Sequence, residues 1–168
     1  MSADLNMSIS MRGSQEELAA MLKVLHYYET VKGAQYNASR NCAYIDWVQI
    51  TSRGQSRHLD ENNICELAAM TGSGELTATA GGPYGHYAEL QEVGLFEAMA
   101  DAAPNAWFSC SISGFVGSVD VSHSAELKDG QLNVYASDTD EDPSYLYVED
   151  FLNKVSHSEF CELFQVDE

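Results

Sequence analysis

Four apolar side chains, Leu5, Met7, Ile9 and Met11, alternate with Asn6, Ser8 and Ser10, and the alternation stops at Arg12-Gly13. A period of two marks a strand with one buried face, because successive side chains of an extended chain point to opposite sides. Immediately afterwards Ser14-Gln15-Glu16-Glu17 reads as a capping box, with Ser14 as N-cap and Glu17 at N3. Leu18, Met21, Leu22, Leu25 and Tyr28 then recur at helical spacing and Gly33 supplies a stop, so a helix is expected over residues 15–31. The chain must therefore open β-α, an apolar sheet face covered by an amphipathic helix.

The same reading extends along the chain. Residues 43–51 (AYIDWVQIT) are rich in aromatic and β-branched side chains and predict a second strand, followed by a loop over Arg53-Gly54-Gln55-Ser56-Arg57. Asp60 caps a short helix in which Ile64, Leu67 and Ala68 share a face, ending at Thr71-Gly72-Ser73-Gly74; the alternative is a hairpin pairing residues 64–70 with 75–80 across those glycines. Residues 75–80 alternate as a strand and run into the breaker cluster Gly81-Gly82-Pro83-Tyr84-Gly85. A helix over 93–102 follows, with Leu95, Phe96, Met99 and Ala100 inward, and Pro104 stops it. In the strand 107–115, Trp107, Ser109, Ser111 and Ser113 alternate with Phe108, Cys110 and Ile112. Asp129-Gly130 between residues 124–127 and 131–136 is a hairpin signal. Val148, Phe151, Leu152 and Val155, then Phe160, Leu163 and Phe164, carry helical spacing over 145–164, broken near Ser156.

The expected fold class is α+β: a single domain over residues 1–168, with an antiparallel or mixed sheet of five to six strands and three to four helices mostly on one face. The opening strand-helix-strand pattern recurs from Glu75. At 168 residues and 45% hydrophobic composition, such a domain buries roughly 70% of the surface its unfolded chain exposes, and needs no covalent staple. Cys42, Cys65, Cys110 and Cys161 stand far apart among apolar neighbours, which suits reduced thiols in a cytosolic protein. Residues 1–11 lack the basic and apolar regions of a signal peptide, and no stretch reaches the roughly 18 apolar residues of a membrane span. A soluble, cytoplasmic protein is expected.

Charge narrows the partners. Residues 1–57 carry five acids and six bases, whereas residues 58–168 carry twenty-one acids against Lys128 and Lys154, giving a net charge of −18. Such a field repels nucleic acid and membrane phosphate and attracts basic protein surfaces. Arg40, Arg53 and Arg57 near Tyr36 and Tyr44 make only a weak basic patch, and the global field opposes nucleic-acid binding there.

The densest acidic cluster is Asp138-Thr139-Asp140-Glu141-Asp142, followed by Glu149-Asp150. Asp138, Asp140, Asp142 and Glu149 fall at EF-hand loop positions, but Pro143 stands where the sharp turn requires Gly and the preceding segment reads as a strand, so no metal site is expected. In extended backbone, Asp138, Asp140 and Asp142 would line one side at roughly 6.6 Å intervals, comparable to successive phosphates along a nucleic-acid strand. Asp138, Asp140, Glu141, Asp142, Glu149 and Asp150 are therefore the candidate partner-binding residues.

Other motifs carry less. The stretch Gly81 to Tyr87 lacks the Lys-Ser/Thr of a P-loop and the glycine triplet of a dinucleotide fold, and reads as a structural turn. His26, His58, His86, His123 and His157 have no His or Cys partner at zinc-ligand spacing, and no Gly-x-Ser-x-Gly elbow is present. No catalytic residue and no cofactor is expected, and the chain is read as a non-enzyme.

In charge and size the chain resembles the small acidic inhibitors of phages and mobile elements that imitate DNA, such as anti-restriction and anti-CRISPR proteins. The resemblance is one of bulk properties and carries no residue motif. It implies an acidic protein that binds and inhibits a basic nucleic-acid-binding protein or nuclease. The alternative is a non-catalytic cytoplasmic domain whose acidity is surface solvation. Acids gathered on one stripe favour the first, and acids scattered over the body favour the second.

Overall fold

The computed structural model describes residues 3–39, 44–70, 75–84, 88–116 and 119–138. The elements are β1 (Ala3–Arg12), α1 (Gln15–Ser39), β2 (Tyr44–Ser52), β3 (Gln55–His58), α2 (Ile64–Ala69), β4 (Leu76–Tyr84), α3 (Ala88–Ala102), β5 (Trp107–Val116), β6 (Val119–Lys128) and β7 (Gln131–Asp138). The seven strands form one sheet in the order β3-β2-β4-β1-β5-β6-β7. Every pairing is antiparallel.

This order follows from two interleaved units. β1 and β2 run parallel, joined by α1, with β4 inserted between them; β4 and β5 run parallel, joined by α3, with β1 inserted between them. Each is a split βαβ unit, and together they give the ferredoxin-like arrangement. The strand-helix-strand pattern that recurs from Glu75 is the sequence trace of this exchange. β3 widens the sheet on one side, and the β6-β7 hairpin widens it on the other.

The helices cover one face. Met7, Ile9 and Met11 on β1, Leu76, Ala78 and Ala80 on β4, and Phe108, Cys110 and Ile112 on β5 are all buried. They meet Leu18, Met21, Leu22 and Leu25 of α1 and Leu95, Phe96 and Met99 of α3 in one continuous core. The capping box starts α1 as the sequence predicts: the Ser14 N–H donates to Glu17 Oε1 at 2.9 Å, and the Glu17 N–H donates to Ser14 Oγ at 3.1 Å. α2 forms with Ile64, Leu67 and Ala68 buried, so residues 64–70 do not take up the alternative hairpin.

The structure differs from the sequence reading in six places. The N-cap of α2 is Asn63 and not Asp60, whose carboxylate accepts the Asn62 N–H instead, and β6 begins at Val119, ahead of the expected residue 124. α1 passes through Gly33 and ends at Ser39. Gly33 is buried beneath the Tyr44 ring, where an added Cβ would stand 3.4 Å from Cδ2, and Tyr36 packs on the same ring at 4.9 Å between centroids. The glycine thus admits an aromatic ring against the helix instead of ending it. The expected loop over 53–57 is a tight hairpin: Arg53 (φ 52°) and Gly54 (φ 77°) form a two-residue turn into β3, which raises the strand count to seven. The breaker cluster does not end β4 at Ala80, since the strand runs on to Tyr84. Pairing with β1 stops at Gly81, and one extra residue lies on β4 between Gly81 and Tyr84, so Pro83 sits in a bulge where its missing N–H breaks no central ladder. Finally, α3 begins at Ala88, ahead of the expected residue 93. The tail helices expected over 145–164 lie outside the described residues.

Candidate binding face

The side of the sheet away from the helices is polar because the alternating residues on every central strand are small hydroxyls and amides. Antiparallel sheets tolerate this, since one face can remain in water. Strand register arranges these side chains in transverse rows. Gln49, Thr79, Ser8, Ser111 and Ser124 lie side by side across β2, β4, β1, β5 and β6. A second row runs Asp46, Gly81, Asn6, Ser113 and Ser122, and a third runs Thr51, Thr77, Ser10, Ser109 and Glu126. The middle of the face carries no ionisable side chain among these positions.

One corner of this face is irregular. Between Asp46 and Gln49, β2 holds one more residue than the β4 segment opposite, compensating the bulge near Pro83 and restoring register beyond it. Trp47 occupies the bulge with φ 55°, a left-handed conformation unusual for a bulky residue, and its side chain is 65% exposed. The His58 ring lies against the indole with centroids 4.9 Å apart. Behind the bulge, Glu29 of α1 completes the edge. Its Oε2 accepts the Val48 N–H at 2.6 Å, while the Val48 carbonyl accepts the Leu59 N–H at 2.9 Å, so both backbone groups of Val48 are paired. Glu29 Oε1 also stands 3.4 Å from His58 Nε2. A helix carboxylate thus replaces a strand partner and fixes the bulge that displays Trp47.

Beside Trp47 the face dips into a concavity of about 450 Å³, bordered by Asn6, Ser8, Gln49, Thr79 and Ser111. Gly81, which lies between Asp46 and Asn6 in the second row, contributes no side chain to fill it. The opposite end of the face is charged. The Arg12 guanidinium lies 3.9 Å over the Trp107 ring and 3.6 Å from Glu75, and Trp107 Nε1 donates to Glu126 at 3.3 Å.

Elsewhere the described residues carry little chemistry. Arg57 of β3 pairs with Glu66 of α2 at 2.6 Å, and the hydrogen bond and charge of Arg57 hold the Glu66 carboxyl below the usual carboxylate range. Burial pushes the Cys110 thiol well up, which makes it an unreactive core side chain. Among the described residues no group of three or more His, Cys, Asp or Glu side chains could hold a metal ion, and no helix is long and apolar enough to cross a membrane.

Of the residues singled out for partner binding, Asp138 ends β7, whereas Asp140, Glu141, Asp142, Glu149 and Asp150 lie outside the described residues, as does His86. The described exposed acids are distributed over the body: Glu16 at the start of α1, Asp46 on β2, Asp60, Glu61 and Glu66 around α2, Glu75 just ahead of β4, Asp101 on α3, and Asp129 in the β6-β7 turn. Sequence reasoning missed Trp47 and Glu29. A signal for the bulge is present, because Ile45 and Val48 are three apart where strand alternation requires two, yet both are buried. Nothing in the sequence links Glu29 to it. No family model, no curated protein and no solved structure matches this chain.

Proposed function

We propose that this protein acts by binding, without catalysis, to a basic protein partner, a nucleic-acid-binding protein or nuclease that it inhibits in the manner of a DNA mimic. The observation that carries the reading is the concentration of charge after β7. Residues 139–168 hold nine of the twenty-six acids and only Lys154 as a base. A one-signed segment of this density accelerates encounter with a basic groove and disfavours other contacts. The contacting residues in this reading are Asp138, Asp140, Glu141, Asp142, Glu149 and Asp150.

The test is a pull-down from bacterial lysate at low and high salt, followed by charge reversal of Asp140, Glu141 and Asp142 to Lys. Binding should fall steeply with salt, since the Debye length shrinks from about 10 Å at 0.1 M to about 3 Å at 1 M. It should also fall on charge reversal, with the far-UV circular dichroism unchanged. A complex indifferent to both treatments removes the reading.

A second reading has its own observation. The exposed carboxylates of the described body are spread over α1, β2, the surroundings of α2, the approach to β4, α3 and a turn, the distribution expected where acidity serves only surface solvation. Absence of any captured basic partner at low salt selects this reading over the first.

A further inference from the structure

We propose that the concavity beside Trp47 is a binding site for a neutral saccharide. The inference rests on the make-up of the open sheet face and is independent of the acidic segment. The border of the concavity carries amides (Asn6, Gln49) and hydroxyls (Ser8, Thr79, Ser111), with no ionisable side chain among its lining residues. A phosphorylated or carboxylated ligand finds no cation there and meets the repulsion of a chain at −18. The exposed lining, which includes the Trp47 ring, is apolar in larger part than polar. Yet a wholly apolar ligand would leave these hydroxyls and amides without hydrogen bonds, so the site fits a ligand that has both an apolar face and neutral polar groups. A ligand dense in neutral hydroxyls satisfies both conditions, because amides and hydroxyls each donate and accept.

Trp47 supplies the other half of saccharide recognition. An indole face is electron-rich and attracts the weakly positive C–H groups on the flat side of a pyranose ring. Here the indole is 65% exposed, borders the concavity and is backed by His58. It is also held in place, since Glu29 anchors the bulge from which it projects. A fixed aromatic platform beside fixed polar groups lowers the ordering cost of binding a small ligand. The volume, about 450 Å³, lies within the range of small-molecule sites and accommodates one or two sugar units.

The experiment uses the full chain and two probes. A printed array of neutral glycans identifies binders, and the best of them is titrated against intrinsic tryptophan fluorescence. The expected result is a saturable change with affinity on the order of 1 mM, given how shallow the site is. Trp47→Ala should weaken array binding by about tenfold or more, and Trp47→Phe, which keeps an aromatic face, should retain most of it. Asn6→Ala and Ser111→Ala should each weaken it less, with melting temperature unchanged. Lysine substitutions at Asp140, Glu141 and Asp142 should leave the saccharide response intact, which separates this site from the inhibitor reading. No saturable binder on the array, or binding that survives Trp47→Ala, overturns the proposal. A stronger response to uridine than to any glycan also overturns it, by making the site one for a nucleobase.

Discussion

The two flanks of the central strand pair are built differently. On one side, β1 and β5 pair through ten consecutive positions, from Ala3 with Val116 to Arg12 with Trp107, without a shift. On the other, β2 meets β4 through two opposed bulges between Tyr44 and Gln49, and a side chain from α1 completes the hydrogen bonding at the edge. Both flanks belong to equivalent split βαβ units, so topology does not account for the difference. The unbroken flank alternates buried and polar side chains strictly from Asn6 to Arg12 and from Phe108 to Ser113. The bulged flank turns Asp46 and Trp47, two consecutive residues, both outward. Regular pairing maximises burial, whereas a bulge exposes a large side chain at a chosen point without altering the register beyond it.

The regular flank is most sensitive at Phe108, which is fully buried and pairs across to Met11. Phe108→Ala removes an aromatic ring from a packed core, and the expected loss is about 3–5 kcal/mol, the transfer and cavity terms together. Urea denaturation followed by circular dichroism reads it. A loss under 1 kcal/mol would mean that the regular flank is not where stability is concentrated.

Glu29 tests the bulged flank. Its side chain is 12% exposed, and Glu29→Ala leaves the Val48 N–H without its acceptor. The expected cost is about 1–3 kcal/mol, that of an orphaned buried donor. Glu29→Gln should cost less, because the amide carbonyl still accepts. Native-state hydrogen exchange should show the Val48 amide deprotected in Glu29→Ala while the β1–β5 amides remain at the global limit. Equal deprotection of both regions would show that the two flanks unfold as one unit.

Sequence and structure part company along the same line. The regular flank is legible residue by residue: Leu5 to Met11 and Trp107 to Phe115 alternate. These signals are local, with each residue's neighbours in sequence also its structural context. The bulged flank depends on contacts between distant positions. Gly33 reads as a helix stop until the Tyr44 ring is seen packed on it, and Pro83 reads as a breaker until β1 is seen to stop pairing at Gly81. Arg53 resembles a loop residue because left-handed Arg is uncommon, yet the twist of paired strands favours that turn. The polar rows of the open face were half visible, as serines in alternation. Their junction with Trp47 and Gly81 required the strand order, which periodicity does not encode.

The smallest effect isolates the backbone at Trp47 from its side chain. At φ 55° any residue with a Cβ is disfavoured by about 1–2 kcal/mol, whereas glycine is not. Glycine in turn loses about 0.5–1 kcal/mol more conformational entropy on folding than alanine. Trp47→Gly should therefore be more stable than Trp47→Ala by about 0.5–1 kcal/mol, although both lose the indole and its contact with His58. The difference between the variants, read by urea denaturation, measures the strain that the fold tolerates to hold an aromatic ring over the open face. If alanine proves equal to glycine, the backbone has left the left-handed region once the indole is gone. The bulge would then be maintained by the Trp47 side chain itself, and Glu29 would follow its geometry instead of imposing it.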